Sequence, residues 1–187
     1  MINASYKISD CLLQGDVLKE VPYLEYCNED NGQIEISQII FPLVLVISQS
    51  CDLTWDYENR HKDNASNQDK VLFSAIVVPL YNYEHFIMGE HLSELGRHMQ
   101  KFNKDKKKTD NRNLRQNTNP RYHYLEFEDK YSIVPSVIDF KHYFSVNIEQ
   151  LEQLRSTNYI CTVEELFRER ISQRFAEYLS RIGLPEV

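Results

Sequence analysis

Short apolar runs separated by polar breaks predict most of the elements of this chain. Phe41 to Ser48 is β-branched and almost wholly apolar, the pattern of a buried strand. Pro42 lies near its start, where a missing N–H is tolerated. Val71 to Leu80 predicts a second buried strand. Ile34 to Ile39 alternates apolar and polar residues as a half-buried strand does. Asn28 to Gly32 before it is a turn cluster, because Asn-Gly supplies the positive φ angles of a tight hairpin. Gly15-Asp16-Val17-Leu18 predicts the turn into the first strand, continued or paired by Val21 to Tyr26. Tyr122 to Phe127 and part of Tyr131 to Phe144 return to strand pattern. Residues 54–70 are polar apart from Trp55 and Tyr57 and read as an exposed loop, and residues 86–100 read as a short helix.

The C-terminus carries a helical period. Val163, Phe167, Ile171, Phe175, Leu179 and Ile182 recur on one face, with Thr162 and Glu165 spaced as a capping box. Glu164 with Arg168, and Glu177 with Arg181, sit four apart in the favourable order. Gly183 and Pro185 supply a stop. These signals predict one helix over about 163–182, packed on a sheet. The fold expected is α+β: a small SH3-like or curled antiparallel β-barrel with added helices. Its 187 residues suit a single domain over 1–187, with a barrel core over about 12–145.

Charge changes the picture locally. The chain carries a net charge of −7, which argues against a general nucleic-acid coat or an anionic-membrane binder. Between residues 101 and 121, however, five lysines (Lys101, Lys104, Lys106, Lys107, Lys108) and three arginines (Arg112, Arg115, Arg121) face only Asp105 and Asp110. This local net of +6 reads as a polar insertion. Lys106, Lys107, Lys108, Arg112, Arg115 and Arg121 are its candidate phosphate-binding residues, with Tyr122, Tyr124 and Phe127 near enough in sequence to stack on bases. A solvated insertion is the plainer reading.

The four cysteines, Cys11, Cys27, Cys51 and Cys161, are widely spaced without a C-x-x-C pair, unlike a disulfide framework. No signal peptide is apparent in the first residues, and the longest apolar run is too short to span a bilayer. A bacterial cytosol with four free thiols is expected. No metal or cofactor is expected, because the paired short-spaced ligands of a structural zinc site are lacking. His85, His91 and His98 lack the spacing of a helical ligand pair and read as a solvated face.

The strand end at Ser48-Gln49-Ser50-Cys51-Asp52 is the candidate ligand-binding site. A rigid strand delivering hydroxyl, amide, thiol and carboxylate groups to one loop is a common site architecture. Cys51 is a candidate nucleophile only with a cation nearby, and the adjacent Asp52 disfavours a second anion rather than assisting one. The plainer reading makes Cys51 a small buried residue and Asp52 a turn or helix cap.

Gly15-Asp16-Val17, the hairpin, Pro42-Leu43-Val44-Leu45-Val46-Ile47-Ser48 and Ala75-Ile76-Val77-Val78-Pro79-Leu80 resemble the strand order of the PemK/MazF toxin family over residues 15–80. That resemblance implies an SH3-like barrel that cuts RNA without metal. The chain departs from the family pattern at its arginines: Phe41 stands before the proline, and no arginine precedes Arg60. Lys19 is the only cation near the loop that carries the family's catalytic arginine, and lysine is a poorer bidentate phosphate partner. The runs Val46–Leu53 and Ser172–Pro185 are also similar to segments of an uncharacterised bacterial family, which implies no function. The leading expectation is therefore a non-catalytic interaction protein with a protein partner or a second copy of itself, in a toxin–antitoxin or phage-defence setting. The alternative is a metal-independent endoribonuclease with Asp52 and His123 as proton-transfer groups and RNA held by the basic insertion; a thiol-dependent enzyme with Cys51 as its nucleophile is a third reading.

Overall fold

A computed structural model describes residues 1–7, 9–62, 68–102 and 111–181. In chain order the elements are β1 (Ala4–Ser5), β2 (Asp16–Asp30), β3 (Gln33–Val46), α1 (Ser50–Arg60), β4 (Ser74–Pro79), β5 (Tyr81–Asn82), α2 (Tyr83–Met88), α3 (Arg112–Arg115), β6 (Tyr122–Leu125), β7 (Ser136–Asp139), β8 (Phe144–Asn147), α4 (Ile148–Asn158), β9 (Tyr159–Val163) and α5 (Glu165–Leu179). The class is α+β with antiparallel sheets. The chain forms two compact units, one of Ala4–Pro79 with Tyr143–Val163, the other of Met1–Asn3, Leu80–His142 and Glu164–Val187.

The first unit holds a six-stranded sheet in the order β1-β9-β2-β3-β4-β8. Its edge strands β1 and β8 do not pair with each other among the described residues, so the sheet is open where a closed barrel was expected. It is nevertheless curled. Phe144 of β8 meets Tyr23 of β2 with ring centroids 5.2 Å apart and Phe41 of β3 at 5.1 Å. Leu18, Val44, Val46, Val77 and Val146 fill the concave side together with Leu53 of α1 and Ile148 and Leu151 of α4.

A polar clasp closes the same core. Asp16 is fully buried and accepts from Arg155 Nε at 2.7 Å, Thr162 Oγ1 at 2.6 Å and the Leu13 N–H at 2.9 Å. Arg155 also donates to the Lys7 and Ser9 carbonyls and lies over the Tyr159 ring. A buried charge pair of this kind is tolerated because nearly every donor and acceptor finds a partner. Burial still pushes the Asp16 carboxyl above its ordinary value, against the pull of Thr162 and Arg155.

The second unit holds a three-stranded sheet in the order β5-β7-β6, with α5 against it through Ile171 and Phe175. The Phe175 ring lies 5.7 Å from that of Phe140. Helix α2 is capped by the Asn82 side chain, which accepts from the Glu84 and His85 N–H groups. It ends at Gly89 with φ of 72°, where an added Cβ would drive into the Met99 carbonyl.

Several expectations are corrected. Of the loop expected over 54–70, residues 54–60 are instead helical as part of α1, secured by buried Asp56, which holds Arg60 at 2.7 Å and the Leu72 N–H at 2.6 Å, and residues 63–67 lie outside the described residues. The capping box does not form: Thr162 is a strand residue whose hydroxyl is consumed by Asp16, and Glu164 occupies the cap position of α5 without a side-chain bond. Helix α5 belongs to the unit of the smaller sheet, and the end predicted at 182–185 lies outside the described residues. His91 is not on a solvated face, since its ring stacks on Phe86 at 4.5 Å.

Candidate functional site

The strand tip is built as a strand-to-helix junction. Ile47 is the last buried residue after β3, and its carbonyl accepts from the buried Gln14 amide at 3.1 Å. Ser48 Oγ accepts from the Ile76 N–H at 2.8 Å, so the neighbouring strand takes up that hydroxyl. Gln49 is the residue before α1, its side chain making no cap bond. Ser50 opens the helix with its hydroxyl buried and unpartnered. Cys51 and Asp52 are exposed on the first turn, and the Cys51 thiol lies 3.6 Å from Gln49 Oε1 and 3.7 Å from Asp52 Oδ1. A carboxylate in a first helical turn complements the helix dipole, worth about 0.3–1 kcal/mol. Neither cavity described below is lined by these five residues.

The other candidates fall elsewhere. Asp52 belongs to the unit of the six-stranded sheet and His123 to the other. His123, on β6, is 5% exposed with an unpartnered Nδ1. Burial, with Arg174 and Arg170 nearby, pushes its imidazole down to about 3. It is therefore neutral at pH 7 and poorly placed to donate a proton. Arg121 grips Asp139 through two bonds, of 2.8 and 2.5 Å. Arg112 lines a cavity of about 370 Å³ with Phe102, Leu114 and Tyr122. Arg115 stands over the Tyr83 and Tyr124 rings. Lys106, Lys107 and Lys108 lie outside the described residues. All four cysteines are free of disulfides, and burial pushes the Cys161 thiol up to about 12. Among the described residues no group of three or more His, Cys, Asp or Glu could hold a metal ion, and no helix is long and apolar enough to cross a membrane.

Three features escaped the sequence reading. One is a buried polar chain in the smaller-sheet unit: the Tyr81 hydroxyl and His142 Nδ1 share a bond of 3.0 Å, and His142 faces Asp139 at 3.8 Å. His91 beside it has both ring nitrogens unpartnered and is pushed down to about 4 by burial, with His142 adding to the effect. The second is a cavity of about 330 Å³ containing His123, Arg115 and Arg170.

The third is the far half of the β2–β3 hairpin. The Asn31-Gly32 turn has φ of 50° and 78°, as the sequence predicts. Beyond Val21 and Val44, however, the two strands pair only with each other. They form an arm in which a half-buried strand was expected at 34–39, and which is exposed instead. The register places Ile40 opposite Pro22, Leu24 opposite Gln38, Ile36 opposite Cys27 and Ile34 opposite Glu29. Paired residues share a face, so Leu24, Ile34, Ile36 and Ile40 form one row, 47–69% exposed. The opposite face is polar towards its tip, with Tyr26 donating to Glu35 and Ser37 to Glu25. Residues 20–40 carry five carboxylates and no lysine or arginine.

In comparisons with known proteins, no family model matches the chain and no curated protein matches it.

Proposed function

We propose that this protein is a non-catalytic binding protein that engages a protein partner through the β2–β3 arm. The exposed aliphatic row Leu24–Ile34–Ile36–Ile40 carries the reading. A two-stranded ribbon outside a core is marginal in water, and an apolar row on such a ribbon is an aggregation hazard unless something covers it. Covering these four half-exposed side chains is worth roughly 1–2 kcal/mol each before the costs of association. The charge selects the kind of partner. Two copies of an arm bearing five carboxylates and no cation repel each other, whereas an apolar groove rimmed by lysine and arginine is complementary to it.

The resemblance to PemK/MazF toxins fits this reading as scaffold rather than chemistry. We take the curled sheet as an open variant of an SH3-like barrel, within a bacterial cytosolic toxin–antitoxin or phage-defence system. The arginines that would stabilise charge on a cleaved phosphate are missing before Arg60, and His123 is buried and neutral at pH 7.

The test compares the wild-type chain with a Leu24→Ser/Ile36→Ser variant of unchanged melting temperature. The expected result is a monomer in solution and a basic partner, purified and remixed, that binds the wild type and not the variant. A wild type that dimerises through the arm, or a partner that binds both chains equally, overturns the reading. Defined RNA cuts in chelator that vanish with Asp52→Ala would instead establish the ribonuclease.

A further inference from the structure

The 330 Å³ cavity lies wholly within the smaller-sheet unit. Strand β6 supplies His123 and Leu125 to it, the loop after α3 supplies Asn117, and α5 supplies Phe167 and Arg170. Its size falls at the lower end of small-molecule sites.

Its electrostatics are lopsided. Arg170 is exposed and forms no ion pair with a carboxylate among the described residues. The charges acting on His123 are both cationic, from Arg174 and Arg170. Arg174, outside the lining, donates to the Asn119 and Tyr122 carbonyls at 2.7 and 2.9 Å and is faced by Glu177. Arg115, the second guanidinium of the lining, has Tyr83 as its hydrogen-bond partner and feels the charge of Glu126. Two lining arginines, Arg115 and Arg170, thus stand against one lining carboxylate, Glu126, leaving an excess of about one positive charge. His123 adds a neutral imidazole, 95% out of solvent, whose Nδ1 has no partner. Buried polar atoms left unpaired are rare and call for a reason. The remainder of the lining, Ile2, Leu125 and Phe167, is apolar.

We propose that this cavity is a binding site for a small organic phosphate, with the phosphate between Arg115 and Arg170 beside His123 and the organic body against Leu125 and Phe167. The excess positive charge favours an anion, and a phosphate brings enough charge to engage both lining guanidiniums. Its three terminal oxygens can use two forked guanidiniums at once, which the two oxygens of a carboxylate use less fully. A phosphate held there places negative charge beside His123, offsetting the two arginines. The site is independent of the arm and stands whether or not the arm binds a partner.

Phenyl phosphate, inorganic phosphate and benzoate serve as probes, titrated calorimetrically into the full chain. Phenyl phosphate binds most tightly, inorganic phosphate more weakly, and benzoate at least tenfold more weakly than phenyl phosphate. Arg170→Gln, at an exposed position, weakens phenyl phosphate at least tenfold without shifting the melting temperature. Arg181→Gln, just beyond α5 and outside the lining, leaves affinity unchanged. The His123 imidazole resonances move on titration in the wild type and stay fixed in Arg170→Gln. Absence of phenyl phosphate binding, equal affinity in Arg170→Gln, or preference for benzoate overturns the proposal.

Discussion

Acidification should destabilise this protein through His123, and the size of the effect follows from its burial. The imidazole has an ordinary value of 6.5 and is held near 3 in the folded chain, mainly by loss of water and secondarily by Arg174 and Arg170. The unfolded chain therefore binds a proton below about pH 6.5 that the folded chain refuses until about pH 3. Stability is present above pH 6.5 and is lost as the pH falls through that window. At pH 5 the unfolded side chain is almost fully protonated and the folded one almost fully neutral, a loss of about 2 kcal/mol. For a chain of this size that corresponds to about 4–8 °C in melting temperature. His91 and His142 are lowered as well, so the wild-type curve alone does not isolate the effect. The measurement is the difference between wild type and His123→Gln, each unfolded in urea at pH 7 and pH 5. The wild type should lose about 2 kcal/mol more than the variant over that interval. Equal losses, or an imidazole that titrates near 6.5 by NMR, would refute the reasoning.

Other outcomes follow from the packing. Arg155→Met strands the buried Asp16 carboxylate and should cost about 3–5 kcal/mol at neutral pH, read by denaturant titration. That cost should shrink at acid pH, where Asp16 takes up a proton. Leu151→Ala opens a cavity in the core of the larger-sheet unit and should cost about 2–5 kcal/mol, visible as a lower urea midpoint. Gly89→Ala forces a Cβ into a left-handed position against the Met99 carbonyl and should cost roughly 1–3 kcal/mol, read as a lowered melting temperature. Ile34→Ser on the arm should change stability by no more than about 0.5 kcal/mol, because the side chain is already 69% exposed.

Local rules determined what local forces can encode. The Asn31-Gly32 hairpin, the strand ending at Val46, the strand through Val77 and the periodic face of α5 were all legible, because turn dihedrals and side-chain periodicity are properties of a few neighbouring residues. Elements secured by distant polar partners were not. Helix α1 buries little besides Leu53 and depends on Asp56 reaching Arg60 and Leu72, and Thr162, spaced as a cap, is claimed by Asp16 146 residues away. The sites were least legible. Ser48 to Asp52 are gathered by sequence at a strand end, yet their groups go to an adjacent backbone, a helix start and solvent.

Amino-acid order by itself settled the class, the hairpin and the acid-rich, apolar make-up of residues 20–40. Only tertiary structure decided that the aliphatic row of the arm stays uncovered, and that His123, Arg115 and Arg170 share a cavity. Periodicity says which side chains lie on one face of a strand, but not whether another layer covers that face. Covering is settled by long-range packing, which no local window of sequence contains.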